Sequence, residues 1–291
     1  MYNEITSNKR RTAILMALFT AVVIFLGYAI GQMSGYGYDG LIIAVIFSFG
    51  MTLLSYFSGS RIALLSSGAK NITKEANPYF HRIVENLSIT AGQPMPKLYI
   101  INDTAINAFA CGRSPKHAAV AVTNGALEKL TNEELEGVLA HELSHIKNYD
   151  VRLMTIVSAL LGTIIILGDL VWRMHFFGGR SRDRENNGNP IMLVVGLILL
   201  ILSPIIGQLI QLAISRRREF LADASGALLT RFPEGLARAL EKIGQENIPM
   251  RRATAATAHL FIANPFGKIH KLFATHPPIQ ERISILRKMS L

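Results

Sequence analysis

His141-Glu142-Leu143-Ser144-His145 is the stretch that decides the fold of this chain. Two imidazoles lie four residues apart, so on an α-helix they share one face and can bind one ion. Glu142 follows the first imidazole and can reach a water molecule in the open position of a catalytic metal. The stretch therefore predicts a helix with two zinc ligands and a general base. The alternative is a pair of surface histidines on an ordinary helix.

The flanking sequence supports a helix at this place. Thr131 is a favourable N-cap, and Glu134 three residues later completes a capping-box pattern. Apolar residues then recur at helical spacing and form a face to bury: Leu135, Val138, Leu139 and Ile146. We therefore expect both histidines on one capped, partly buried helix.

The composition points to a membrane protein. Half of the 291 residues are hydrophobic and only 17% are charged, which is a low fraction for a soluble protein. The net charge is +10, but much of the Lys and Arg flanks apolar runs, and no nucleic-acid recognition motif is present. We therefore expect a lipid bilayer as a partner, and no nucleic acid. The single cysteine, Cys111, excludes an intrachain disulfide and a Cys-rich zinc site, and it suits a core position.

Four apolar runs are long enough to cross ~30 Å of hydrocarbon. They are Thr12–Ile30, Leu41–Ser58, Val151–Trp172 and Ile191–Ile214. These runs predict two transmembrane hairpins. The first run is interpreted as an uncleaved anchor, because it is long for a signal peptide and no good small-residue cleavage site follows it.

Basic residues predict the orientation of the hairpins. They flank the first hairpin on both outer sides and are absent from its loop, 31–40, which places residue 61 onward in the cytoplasm. The loop of the second hairpin, 173–190, contains four arginines, which conflicts with the external position that two spanning helices would give it. Basic residues on the outer flanks of this hairpin, in contrast, favour an external loop.

The remaining chain is expected to form one domain in two parts. The predicted units are 1–60 for the first hairpin, 61–150 and 215–291 for the catalytic domain, and 151–214 for the second hairpin. Helices are predicted over Pro78–Ala91, Pro233–Glu246 and Pro277–Met289. Strands are predicted over Lys97–Ile101, Ile106–Cys111 and Ala118–Thr123.

A catalytic zinc site needs a third protein ligand, and Glu219 is the best candidate. It directly follows the fourth apolar run, and a membrane hairpin returns the chain to the face that it left. Asp223 lies one helical turn further and is expected to hydrogen-bond a ligand imidazole. The alternative for Glu219 is an interfacial acid paired with neighbouring arginines. Six other histidines are also candidates: His81, His117, His175, His259, His270 and His276.

With these features in place, the chain resembles the HtpX family of membrane-embedded zinc metalloproteases, which are relatives of the CAAX prenyl proteases. The resemblance covers nearly the whole chain. Besides the hairpins, it rests on Asn107-Ala108-Phe109-Ala110, the His141 motif, Glu219 with Asp223, and His276-Pro277-Pro278. It implies a gluzincin-like domain fused to transmembrane helices. It also implies endopeptidase cleavage of damaged or misfolded membrane proteins at the cytoplasmic face, in envelope quality control under stress.

The resemblance also implies roles for individual residues. His141, His145 and Glu219 would bind one Zn²⁺ per chain, and Glu142 would be the general base. Four further residues would form the edge strand to which an extended substrate adds: Asn107, Ala108, Phe109 and Ala110.

Two residues near the C-terminus also acquire roles only through the resemblance. His276 would lie near the zinc, where it stabilises the tetrahedral intermediate or caps the resting metal. Arg282 matches a basic residue near the same site. No departure from the family pattern removes a ligand or the base.

We therefore expect a mainly α membrane protein of the inner membrane. Four transmembrane helices would carry a cytoplasmic α+β, gluzincin-like zinc metalloprotease domain that acts on polypeptide substrates. One rival hypothesis is a non-proteolytic chaperone or scaffold with a structural zinc site, for which His276 could be the fourth ligand. Another is a zinc hydrolase that acts on a lipid or a small molecule, although the extended-strand motif argues against it.

Overall fold

The computed structural model describes residues 2–33, 37–177, 215–246, 248–267 and 276–289. Its α-helices are α1 Tyr2–Met33, α2 Tyr38–Ser66, α3 Pro78–Ala91, α4 Asn124–Lys129, α5 Asn132–Lys147, α6 Asp150–Phe177, α7 Arg216–Thr230, α8 Pro233–Glu246 and α9 Ile279–Lys288. Its strands are β1 Ala69–Asn71, β2 Lys97–Ile101, β3 Ala108–Gly112 and β4 Ala118–Thr123. Short 3₁₀ turns cover Pro115–His117 and Ala258–Leu260. The predicted apolar run Ile191–Ile214 lies outside the described residues.

The four strands form one sheet in the order β1-β2-β4-β3. Strands β2 and β4 are parallel, and each pairs antiparallel with an outer strand, β1 and β3 respectively. The predicted bounds of β2 and β4 are confirmed, but β3 begins at Ala108 instead of Ile106. The backbone N–H of Asn107 donates to the side-chain oxygen of Thr123 at 3.0 Å instead of to a strand carbonyl, so regular pairing starts one residue later.

Helix α5, Asn132–Lys147, carries the histidine pair. Its capping box is confirmed: the backbone N–H of Thr131 donates to Glu134 Oε2 at 2.8 Å, and the Glu134 N–H donates back to the Thr131 hydroxyl. The helix contacts β3, α3, α7 and α8. It is buried almost throughout from Glu134 to Ile146, which excludes two surface histidines.

Helices α1, α2 and α6 pack against one another. Besides large apolar side chains, their contacts include small and hydroxyl residues, as in the 3.0 Å hydrogen bond between the hydroxyls of Thr20 and Thr52 and the close approach of Gly59 to Thr155. Such residues allow helices to approach closely in lipid. Within the described part of the chain, α2 alone is long and apolar enough to cross a membrane. The described structure is mostly helical. The four transmembrane spans expected from the sequence stay a prediction.

Helix α2 packs directly against the sheet. Ala63 and Leu64, near its C-terminal end, pack with Phe109 of β3 in one hydrophobic cluster, and Cys111 is buried in the same cluster. The core position expected for Cys111 is confirmed. The apolar helix and the strand that borders the histidine helix therefore form one packed unit.

Candidate metal centre

Two helices bring the three predicted ligands together. On α5, the Nε2 atoms of His141 and His145 lie 3.1 Å apart. On α7, the Glu219 carboxylate lies with Oε2 3.8 Å from His141 Nε2 and Oε1 3.5 Å from His145 Nε2. All three ligands are buried, and one ligand atom from each lies within 4.8 Å of the others. Ligands about 2.1 Å from one ion are separated by about 3.4 Å in tetrahedral geometry, so these residues fit a metal ion.

The outer nitrogens of both imidazoles face carboxylates. His141 Nδ1 lies 2.9 Å from Asp223 Oδ1, and His145 Nδ1 lies 3.1 Å from Asp150 Oδ2. A carboxylate at Nδ1 favours a proton on that nitrogen, so in the neutral imidazole the Nε2 atom is the one left to bind a cation at the centre. This is the arrangement of two imidazoles prepared to bind a cation.

The charges of the centre favour a cation as well. Burial opposes the ionisation of Glu219, yet the imidazoles of His276, His145 and His141 hold its pKa well below the usual range. Burial lowers the pKa of His145, but the hydrogen bond to Asp150 and the charge of Glu219 raise it to about 9. A place where buried carboxylates stabilise a positive charge so strongly is electrostatically suited to a metal ion.

Glu142 lies beside the ligands on the same helix and is almost completely buried. Burial raises its pKa to about 7; the charge of His145 opposes this shift and that of Glu219 adds to it. The backbone of Ala110, on β3, lies close enough to the carboxylate to lower this pKa. A carboxyl group with a pKa near neutrality can both accept and return a proton.

Asp223 and Arg282 form a buried ion pair behind His141. The guanidinium donates through Nε to Asp223 Oδ2 at 2.8 Å and through Nη2 to Oδ1 at 2.7 Å. Its Nη1 donates to the carbonyl of Ile262 at 3.1 Å. Burial opposes the ionisation of Asp223, but Arg282 holds its pKa at about 2. Asp223 and Arg282, which were predicted separately, thus lie together next to His141.

His276 lies against the third ligand. Its Nδ1 is 2.9 Å from Glu219 Oε2, while its buried Nε2 has no hydrogen-bond partner among the described residues. The structure therefore places His276 at the centre, with one nitrogen available for a further contact.

The edge of β3 is not open. Phe261 pairs antiparallel with Phe109, and the backbone N–H of Ile262 donates to the carbonyl of Ala108 at 2.9 Å. The side-chain amide of Asn107 donates to the carbonyl of Ala263 at 3.1 Å. Residues 261–263 thus cover the strand that the sequence predicted as the edge for an extended substrate.

Two residues of the centre were missed by the sequence reasoning. Asp150, the partner of His145, is the first residue of α6, and its place five residues after a ligand histidine was an available signal. Asn8, at the start of the chain, hydrogen-bonds Asp150 at 2.6 Å. No local pattern in the sequence indicates the hydrogen bond between Asn8 and Asp150.

Comparisons with known proteins identify the family of the chain. Residues 74–290 match Peptidase family M48. The chain is 45% identical over 294 residues to a "Protease HtpX homolog" of Caldanaerobacter subterraneus subsp. tengcongensis, covering 100% of this chain and 98% of that relative. It is 46% identical over 290 residues to a protein of the same description from Dictyoglomus turgidum, covering 99% and 94%. The crystal structure of S. mikatae Ste24p matches 98% of this chain and 67% of its own with a TM-score of 0.53 at 17% identity, which shows a shared fold.

Proposed function

Because the chain belongs to Peptidase family M48 and is a metallopeptidase, we propose that it is a membrane-anchored, zinc-dependent endopeptidase. The proposed substrates are damaged or misfolded membrane proteins, cleaved at the cytoplasmic face in envelope quality control. The observation that supports this most is the buried group of His141, His145 and Glu219, with carboxylate oxygens 2.9 Å from His141 Nδ1 and 3.1 Å from His145 Nδ1.

The donor set supports zinc as the metal. Two imidazole nitrogens and one carboxylate are the ligands of a common class of catalytic zinc sites, in which the fourth position is left for water or substrate. A zinc ion bound there would polarise the scissile carbonyl and lower the pKa of a water molecule. Asp223 and Asp150 would orient the two imidazoles, and Arg282 would hold Asp223 in place.

Glu142 is the proposed general base. It follows His141 directly, so it lies beside the ligand face of α5, and the backbone of Ala110 lies near its carboxylate. In this position it would take a proton from the attacking water and pass it to the leaving amine nitrogen. His276 is the proposed donor to the developing oxyanion, because its Nε2 is buried at the centre without a partner among the described residues.

The proposed binding mode is addition of an extended peptide along β3 at Asn107–Ala110. The backbone there borders Glu142, which would place a scissile bond near the base. Since residues 261–263 contact the same edge, this binding mode requires that they move away when a substrate binds.

The proposed membrane location follows from the contact between α2 and the sheet. The C-terminal end of the apolar helix packs on the cluster that contains Phe109. If α2 spans the bilayer, the centre lies close to the membrane surface, where segments of misfolded membrane proteins emerge. The proposed organisation is two hairpins, 1–60 and 151–214, around a catalytic domain formed by 61–150 and 215–291.

Zinc content and cleavage of casein, measured on the purified full chain in detergent, test the proposal. Glu142→Gln should keep stoichiometric zinc and lose cleavage, whereas Glu219→Ala should lose most zinc and all cleavage. Glu128→Ala, a change at an exposed acid of α4, is the matched control and should alter neither. Retained cleavage in Glu142→Gln would contradict the proposed base, and retained zinc with normal cleavage in Glu219→Ala would contradict the proposed ligand.

A further inference from the structure

The start of α1 reaches the metal centre. Asn8 precedes the first apolar run, yet only 1% of its surface is exposed. Its side-chain Nδ2 donates to Asp150 Oδ1 at 2.6 Å and to the backbone carbonyl of Asn148 at 3.0 Å. Asn148 is the C-cap of α5 and Asp150 is the first residue of α6. One amide therefore holds both sides of the turn that follows the histidine helix.

Asp150 connects this amide to a ligand. Its Oδ2 lies 3.1 Å from His145 Nδ1, while Oδ1 accepts from Asn8 and lies 3.9 Å from Arg218 Nε. A carboxylate that holds an imidazole must itself be fixed in rotation, or the ring it orients is free to turn. The amide of Asn8 supplies that restraint on the oxygen that does not face the ligand.

Asn8 also contacts the helix of the third ligand. Its Oδ1 accepts from Arg218 Nη1 at 3.5 Å, and Arg218 directly precedes Glu219 on α7. Asn8 thus contacts the chain next to His145 through one end of its amide and next to Glu219 through the other. Within the described chain, the three hydrogen-bond partners of its side-chain amide come from α6, α7 and the C-cap of α5, and none comes from α1 itself.

A neighbouring contact holds the same turn. Tyr149 lies between Asn148 and Asp150 and has a positive φ of 61°, an uncommon conformation for a residue with a side chain. The ammonium group of Lys9 lies 4.5 Å from the centroid of the Tyr149 ring. The guanidinium of Arg152 lies 4.9 Å from the same ring. Two successive residues of α1 therefore fix the turn that positions Asp150.

We infer that Asn8 is a positioning residue of the metal centre, which acts through Asp150 on His145. The segment ahead of the first apolar run is then part of the site and not only the leading end of an anchor. The inference rests on the proposed metal centre, and it concerns how tightly and in what geometry the metal is held. It does not concern the peptide bond that is cleaved.

The test is the zinc dissociation constant of the purified full chain in detergent, measured by competition with a chromophoric chelator. Outer-shell changes typically weaken metal binding by about 10–100-fold. We expect about 10-fold for Asn8→Ala, because Asn8 is one contact further from the metal than Asp150. Thr6→Ala, an exposed position on the same helix, is the matched control and should leave the constant unchanged. An unchanged constant in Asn8→Ala would overturn the inference.

A double-mutant cycle separates positioning from general stability. In an Asp150→Asn background the restraint has no carboxylate to act on, so Asn8→Ala should cause no further weakening of zinc binding. The absorption bands of the Co²⁺-substituted protein should shift in Asn8→Ala and be the same in Asp150→Asn with and without Asn8→Ala. Equal weakening by Asn8→Ala in both backgrounds would show that Asn8 acts elsewhere and would overturn the inference.

Two further measurements keep the test decisive. If Asn8→Ala does not fold, Asn8→Ser replaces it, because the shorter hydroxyl side chain remains polar but does not reach Asp150. The loss of three buried hydrogen bonds should lower the thermal stability of the metal-free protein in Asn8→Ser, and the zinc-bound protein should lose more. An equal loss of stability with and without metal would overturn the inference. The zinc constant does not depend on peptide cleavage, so failure of the proposed activity and failure of this inference are distinguishable.

Discussion

Gly226 of α7 lies directly against the backbone of His141 on α5. A Cβ atom at Gly226 would meet the backbone nitrogen of His141 at 2.9 Å and its Cα at 3.2 Å. The two helices that supply the ligands can approach this closely only because position 226 has no side chain. The distance between the histidine pair and Glu219 therefore depends on one missing methyl group.

Gly226→Ala should separate α7 from α5 and move Glu219 and Asp223 away from the histidines. We expect a loss of about 1–3 kcal/mol in the free energy of unfolding, typical of overpacking, together with reduced zinc content. Gly244→Ala is the matched control, since its added methyl group would meet only side-chain atoms at 3.6 Å or more. Thermal unfolding and metal analysis check both. Full zinc occupancy in Gly226→Ala would show that the site tolerates a wider helix spacing.

His276→Phe should keep both zinc and fold and lose turnover. A donor to the oxyanion acts where charge develops, and removal of one such donor typically costs about 10²–10³ in turnover. We expect kcat to fall in that range with little change in KM, measured with a peptide substrate. Loss of zinc would instead show that His276 acts on metal binding, either as a ligand or through its contact with Glu219, and unchanged kcat would remove it from the mechanism.

A reversible cross-link between β3 and residue 261 tests the proposed substrate edge. Phe109 and Phe261 face each other, with ring centroids 5.0 Å apart. The flanking hydrogen bond from Ile262 to Ala108 marks a non-hydrogen-bonded pair, whose Cα atoms are about 4.5 Å apart, within the range of a disulfide. In a Cys111→Ser background, Phe109→Cys with Phe261→Cys should lose cleavage of unfolded protein on oxidation and regain it on reduction.

The reduced form of the same double variant is the reference for this cross-link. The single variant Phe261→Cys, treated with the same oxidant, controls for effects of the oxidant alone. Equal cleavage by the oxidised and reduced forms would show that the substrate does not bind along β3.

The second hairpin is tested by labelling. If the apolar runs 151–172 and 191–214 both span, the loop between them faces outside. Ser181→Cys in a Cys111→Ser background should then react with a membrane-impermeant thiol reagent added to intact cells. Labelling only after lysis would mean that the hairpin stays inside or only enters the bilayer partway.

Elements with local signals were predictable from the sequence, and elements held by distant contacts were not. Pro78 and Gly92 bracket α3, and its predicted bounds are those observed. The Thr131 capping box likewise predicted α5. By contrast, β1 has only three residues and is stabilised by pairing with β2, so its own sequence does not predict a strand.

The same distinction applies to the metal centre. The spacing of His141 and His145 is a property of one helix, and Glu219 followed from where a hairpin must return. Asn8 lies 142 residues before Asp150, and the contact between them exists only because α1 packs beside α6. Such a contact depends on tertiary packing and leaves no periodic pattern in the chain.

Cys111 is the only cysteine of the chain, and its thiol is completely enclosed beside Phe109. Burial raises the pKa of this thiol to about 12, so at physiological pH almost none of it is the nucleophilic thiolate. Oxidants, disulfides and alkylating agents therefore find no reactive sulfhydryl here, and the centre is built from nitrogen and oxygen donors alone. Oxidation of a thiol would therefore remove none of the three candidate ligands, His141, His145 and Glu219.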